Sequence, residues 1–164
     1  MKYLLIPLLF FASCSKPQTA PSVAPSTPDP VPVAISLAQV IKAFENAKLP
    51  IKKRAIYDES TDPNNLLGRP GQYVEKMNFT DARGHKTPLD CSIEVFPDNA
   101  TAATRKNYID SIGKAASIYA AYSYLHHNVL VRISFAVLPK DADAYRQALE
   151  SISLNCPFPA QAAL

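Results

Sequence analysis

Glycine is scarce in this chain: four residues in 164 leave little room for a Gly-rich loop that cradles a phosphate. Three cysteines and three histidines are too few for a zinc ribbon built from separated ligand pairs. Lys+Arg number 17 and Asp+Glu 14, a net charge of +3. That surplus is too small for the dense basic face of a nucleic-acid binder, so no nucleic-acid partner is expected. No GxSxG elbow, Walker loop, HExxH helix or Rossmann fingerprint occurs. Ser92, Ser111, Ser117, Ser123 and Ser134 fall inside expected elements without a nucleophile signature, and Asp141 and Asp143 sit where acidic side chains favour a helix start. His85 and the adjacent His126 and His127 have no helical i, i+4 partner and read as exposed loop and turn residues. No metal, no cofactor and no enzymatic activity are therefore expected. What the chain does have is 48% hydrophobic and 19% charged residues, enough apolar mass for one packed domain.

The first residues, MKYLLIPLLFFASC, carry a positive Lys2, a short apolar run and small residues before a cysteine. This is a secretory signal pattern, and the run is far shorter than the roughly 20 apolar residues of a membrane span. Ala12 and Ser13 before Cys14 resemble a bacterial lipobox, with Phe11 where an aliphatic residue is usual. The resemblance implies a signal peptide over 1–13 and diacylation of Cys14, which tethers the chain to a membrane; an ordinary secretory signal cut near Ser13 is the alternative. Several acyl chains at ~0.8 kcal/mol per buried CH₂ make a durable anchor. Residues 14–35 form the lipidated cysteine and its linker. Six prolines between 17 and 34 forbid helix and central strand and favour an extended polyproline II stalk. At about 3.1 Å per residue the stalk reaches on the order of 55 Å. It reads as a spacer, or else as a docking site for a proline-recognising partner.

A single α+β domain is expected over 36–158, with a short tail at 159–164. Ser36 and Gln39 form a capping-box pattern ahead of Leu37, Val40, Ile41 and Phe44, the apolar stripe of an N-terminal helix. The basic run Lys52-Lys53-Arg54 reads as solvated surface. Punctuation at 61–71 gives two turns, with Leu66 and Leu67 plugging inward. Strands are expected at 72–80, with Tyr73, Met77 and Phe79 on one face, and at 91–96. Glu75 breaks the first pattern and suggests an edge strand or a strand whose end is wet. A helix near 99–116 follows, capped by Asp98, then strands at 118–125 and from Val129 through Val137, and a last helix near 140–153. The order α-β-β-α-β-β-α predicts a four-stranded antiparallel sheet made of two ββα units, with the helices on one face.

With Cys14 lipidated, Cys91 and Cys156 remain as an even pair. In an oxidising compartment they read as a structural disulfide closing about 65 residues. The chain-entropy value is ~4 kcal/mol. A redox pair is the other reading, without CxxC spacing to support it.

The densest unexplained polarity lies at 62–83: Asp62, Asn64, Asn65, Arg69, Lys76, Asp81 and Arg83 around fixed turns. Two readings stand. In one, Arg69 ties carbonyls or Asp81 together as a structural lock; in the other, the segment is a recognition patch. The stretch DPNNLLGRPGQYVEKMNFTDAR, with SIEVFPD and NVLVRIS further on, resembles a group of small, uncharacterised bacterial lipoproteins and exported proteins. The shared pattern is DPN-x-LLGRP-x-x-Y-x-x-K-x-x-F-x-D-x-R, and the likeness covers most of 36–153. It implies export and implies no activity. The resulting expectation is a monomeric, lipid-anchored cell-envelope protein that binds a protein or small ligand, facing the periplasm from the outer membrane if the host has two membranes. Binding would use Asp62, Asn64, Arg69, Tyr73, Lys76, Asp81 and Arg83 with the tyrosine-rich strand, Tyr119, Tyr122 and Tyr124, because Tyr and Arg supply rigid contact area and directional donors. The alternatives are a structural or assembly lipoprotein of an envelope complex, and a hydrolase without a recognisable signature.

Overall fold

A computed structural model of the chain describes residues 34–83 and 89–154, and for Leu89 the backbone alone. The signal peptide, Cys14, the linker up to 33, His85 and Cys156 lie outside the described residues. The expected pairing of Cys91 with Cys156 falls outside with them.

The first helix, α1 (Leu37–Asn46), starts on the expected capping box: Ser36 Oγ accepts the Gln39 N–H, and Gln39 Oε1 accepts the Ser36 N–H at 2.8 Å. Its buried stripe is Leu37, Val40 and Phe44. Then come β1 (Ile51–Tyr57), β2 (Glu75–Asp81), β3 (Leu89–Val95), α2 (Asn99–Ala115), a 3-10 turn at Ser117–Tyr119, β4 (Ala121–His126), β5 (Val129–Ser134) and α3 (Pro139–Glu150). The strands form one five-stranded antiparallel sheet in the order β1-β2-β3-β5-β4. Among the described residues no helix is long and apolar enough to cross a membrane.

The sheet thus has five strands where four were expected: the two ββα units, β2-β3-α2 and β4-β5-α3, are present, and one more strand is added to them. The extra strand is β1, which contains the run read as plain surface. Lys53 has φ 48 and the register shifts between Lys52 and Ala55, so a bulge interrupts the alternation that would have marked a strand. Exposed lysines and a bulge are how an edge strand is kept from pairing with other chains. With β1 at the edge, β2 is interior, which overturns the edge-strand reading of Glu75. That carboxylate is half-buried and accepts the Leu37 N–H at 2.7 Å, satisfying a free donor at the start of α1. The 118–125 strand also starts later than expected, after the 3-10 turn. The alternation from Val129 stops at Ser134: Val137 turns back to Ser134 with a 3.0 Å hydrogen bond, leaving Phe135 60% exposed.

The helices do not share one face. Alternate side chains of a strand point to opposite sides. Met77, Phe79, Ile93, Val95, Val129, Val131 and Ile133 form one core with Val40, Phe44, Tyr145 and Leu149 of α1 and α3. Leu130, of opposite parity, joins a second cluster with Tyr73, Phe96, Ala102 and Ile109, and Leu66, Leu67 and Leu125 pack against it. Helix α2 therefore covers the reverse face. Its low apolar content explains the error: only Ala102 and Ile109 are fully buried. Asn128, 2% exposed in the β4–β5 turn, fastens the entry to α1 by accepting the Ile35 N–H at 2.9 Å and donating to the Ile35 and Phe96 carbonyls at 3.0 and 2.9 Å.

Candidate functional site

The connection from β1 to β2 crosses the α2 face and is held there by a single carboxylate. Asp62, 6% exposed, accepts hydrogen bonds from the N–H groups of Asn64 (3.2 Å), Leu66 (2.9 Å) and Leu67 (3.1 Å), from the Tyr73 hydroxyl (2.7 Å) and from Lys76 Nζ (2.7 Å). Burial alone would raise its pKa. Lys76 and the other donors outweigh burial and hold the carboxyl well below the usual carboxylate range. Lys76 is 2% exposed and lies 5.4 and 5.1 Å from the ring centres of Tyr57 and Tyr73. Gly68 and Gly71, at φ +77 and +71, supply the left-handed turns that bring the chain back to Tyr73. Leu66 and Leu67 then pack against the second cluster, as expected.

The ten candidate binding residues do not converge. Asp62, Asn64, Tyr73 and Lys76 meet on the α2 face. Asp81 and Arg83 lie at the opposite face, where Asp81 accepts the Tyr145 hydroxyl (2.8 Å) and Arg83 Nε (3.0 Å), and Arg83 reaches Asp141 of α3 at 2.8 Å. Burial opposes ionisation of Asp81, but Arg83 and Tyr145 more than compensate and its pKa is lowered. This group fastens the end of β2 to α3. Tyr122 and Tyr124 also belong to that side; their stacked rings are 6.5 Å apart and half-buried against the first core. Arg69 is exposed, and its backbone N–H closes a turn onto the Leu66 carbonyl at 3.1 Å. Asp62, and not Arg69, is the residue that locks the segment.

Next to the Asp62 lock lies a feature that no single segment reveals. Asn78 pairs across the sheet with Ser92, Ser92 with Arg132, and Arg132 with Ser123. Residues directly opposite in antiparallel strands share a face, so four polar side chains form one row across β2, β3, β5 and β4. Asn78 Oδ1, Arg132 Nε and Ser123 Oγ are buried without a hydrogen-bond partner among the described residues. Asn78, Ser92 and Arg132 floor a cavity of about 200 Å³ whose walls include Asn64, Lys76 and Glu94, and Ser123 lines a neighbouring cavity that shares Ala121 with it. A second cleft of about 480 Å³ shares Asn64 and Arg132 with it and runs out between Arg105, Tyr108, Ile112 and Tyr119.

The charges around this space are unevenly matched. Glu94, 1% exposed, accepts hydrogen bonds from Arg105 Nε at 3.1 Å and Nη2 at 3.4 Å. Lys76 is satisfied by Asp62. Arg132 feels Glu94 only at longer range; burial pulls its pKa down and Glu94 opposes that, and a guanidinium stays protonated at either value. The half-buried His126 and His127 stack edge to face at the β4–β5 turn, and His126 Nε2 contacts the Ile152 carbonyl at 3.0 Å. Among the described residues no cluster of three or more His, Cys, Asp or Glu side chains is placed to hold a metal.

Asn78, Ser92, Arg105, Ser123 and Arg132 were not among the expected site residues. Each stands alone in its element, and only the register of four strands brings the row together. No protein-family model matches the chain, and neither a curated protein nor a solved structure is significantly similar to it. The geometry of the cleft is what bears on function.

Proposed function

We propose that the chain is a lipid-anchored protein of the bacterial cell envelope whose α+β domain binds a small polar ligand on the α2 face of its sheet. The observation that carries the binding reading is the row Asn78–Ser92–Arg132–Ser123: Asn78 and Arg132 each bring a buried polar atom without a partner among the described residues to one cavity, and Ser123 brings a third to the cavity next to it. Folded proteins pair nearly all such groups, and exceptions concentrate where something else binds. The serine hydroxyls act as donors and acceptors and not as nucleophiles, because Ser123 Oγ has no base bonded to it. The anchor is Cys14 and the stalk is the proline-rich linker, with the domain facing the periplasm from the outer membrane in a host with two membranes.

Two experiments test this. Radiolabelled palmitate enters the wild-type protein and not Cys14→Ser; label persisting in the variant overturns the anchor. Native mass spectrometry of protein released from the envelope shows a small-molecule adduct that Arg132→Gln lacks. The second reading is an assembly lipoprotein, favoured by the exposed apolar side chains Ile118 (81%), Phe135 (60%) and Leu138 (55%). A stoichiometric protein partner after envelope crosslinking, with no adduct on the wild type, would establish it in place of ligand binding.

A further inference from the structure

We infer that the ligand of this site is a monocarboxylate with an apolar, ring-sized body: the carboxylate sits on Arg132 beside the row hydroxyls, and the body lies in the cleft between Tyr108, Ile112 and Tyr119. The inference rests on the ligand-binding reading above and names the chemistry that reading leaves open.

The head group follows from the charge pairing. Asp62 neutralises Lys76 at 2.7 Å and Glu94 neutralises Arg105 at 3.1 Å, which leaves Arg132 as the one cation of the cavity without a carboxylate in direct contact among the described residues. Its Nε is buried and unpartnered, beside the equally unpartnered Ser123 Oγ on the neighbouring strand. A guanidinium edge matches a carboxylate with two parallel hydrogen bonds, and a serine hydroxyl can add a third. A dianion such as a phosphate monoester fits poorly, because one surplus positive charge faces it and Asp90 also lines the cavity.

The body follows from size and surface. A cavity of about 200 Å³ is smaller than the roughly 300–1,000 Å³ of ordinary ligand pockets and holds little beyond the head group. The cleft of about 480 Å³ continues it through Arg132 and Asn64, and apart from Arg105 its remaining walls are apolar or aromatic: Leu66, Ile109, Ile112, Tyr108 and Tyr119. Tyr108 and Tyr119 are 56% and 58% exposed, and the Arg105 guanidinium lies over the Tyr108 ring at 5.7 Å. Tyrosines in this position stack on a planar group at little entropic cost.

The test uses the full chain carrying Cys14→Ser, which removes the lipid and leaves the domain unchanged, in amide-resolved NMR titrations with three probes: 3-phenylpropionate, propionate and 3-phenylpropan-1-ol. The expected result is that 3-phenylpropionate shifts the amides of Ser92, Ser123 and Arg132 and binds at least ten times more tightly than either other probe. Tyr119→Ala brings its affinity down to that of propionate. Arg132→Gln brings it down to that of the alcohol; if that variant does not fold, Arg132→Lys, which keeps the charge and loses the fork, weakens the carboxylate several-fold. Equal affinity for propionate and 3-phenylpropionate overturns the apolar body and leaves the row as a site. Equal affinity for the acid and the alcohol overturns the carboxylate. Binding of none of the three overturns the inference as a whole, while the small-molecule adduct on native protein decides the underlying site independently.

Discussion

The same five strands present two surfaces of opposite character. Toward α1 and α3 most interior positions are apolar, and aromatic rings meet edge to face, Phe44 with Tyr145 at 5.3 Å and with Phe79 at 6.3 Å. Its polar members, Glu75, Asp81 and Asn128, are all bonded. Toward α2 the strands present Lys76, Asn78, Ser92, Glu94, Ser123 and Arg132, and the apolar cluster is confined to one end. Lys76 and Glu94 are locked in ion pairs, whereas Asn78, Ser123 and Arg132 each keep a buried polar atom without a partner among the described residues. One face is built to hold the domain together, whereas the other spends stability on keeping a cavity open. Such a division is expected where a rigid scaffold supports a site.

The comparison can be broken by substitution. On the closed face, Phe44→Ala removes a fully buried ring from the centre of the core and costs about 3–5 kcal/mol, read from chemical denaturation. A loss under about 1 kcal/mol would mean that this face is not the stabilising one. On the α2 face the largest single effect belongs to Asp62→Ala, which strands the buried Lys76 ammonium and three backbone donors and costs about 3–5 kcal/mol. Asp62→Asn, which keeps acceptor geometry for part of the set, costs less. The Asp62 lock and the row differ in this respect, because the lock is structural although it borders the cavity.

Acid sharpens the same distinction. Asp62 and Asp81 have pKa values lowered from the ordinary 3.8 by their donors. A depressed folded-state value gives stability that is fully present above the unfolded value and is withdrawn as pH falls through the folded one. Unfolding free energy should therefore stay level with respect to these two groups at neutral pH and fall below about pH 4, with Asp62→Asn flattening part of the slope. A variant as acid-sensitive as the parent would show that the Asp62 carboxylate is not held as described. The smallest effect is expected at the protected edge. Lys53 adopts φ 48, so Lys53→Gly relieves backbone strain and changes stability by under about 1 kcal/mol, while a large loss would mean that the β1 bulge matters to the core.

How much of this could be read beforehand depended on how local the signal was. The capping box at Ser36 and Gln39, the Asp98 cap and the alternation at Val129, Val131 and Ile133 are each decided by neighbours within a few residues, and each element stands where the pattern put it. Strand β1 was hidden because its bulge at Lys53 and its three consecutive charges erase a period of two. The placement of α2 was hidden because a helix with so few buried residues points to no particular face. In the 62–83 stretch the density of polar groups was visible, yet Asp62 and Asp81 prove to serve opposite faces of one strand-linked segment. The row itself was illegible for a simpler reason: Asn78, Ser92, Arg132 and Ser123 become neighbours only once the non-sequential order β3-β5-β4 and its register are known.

The central claim is that the row serves a ligand and not the fold, and thermal melting of Arg132→Met with and without 3-phenylpropionate tests it most directly. Replacing a half-buried charge that has no ion-pair partner among the described residues by an apolar side chain of similar length should leave the melting temperature equal to or above that of the parent. The ligand-induced rise seen in the parent should vanish. A variant that melts more than about 5 °C below the parent, roughly 1 kcal/mol for a domain of this size, while still responding to the ligand, would contradict it.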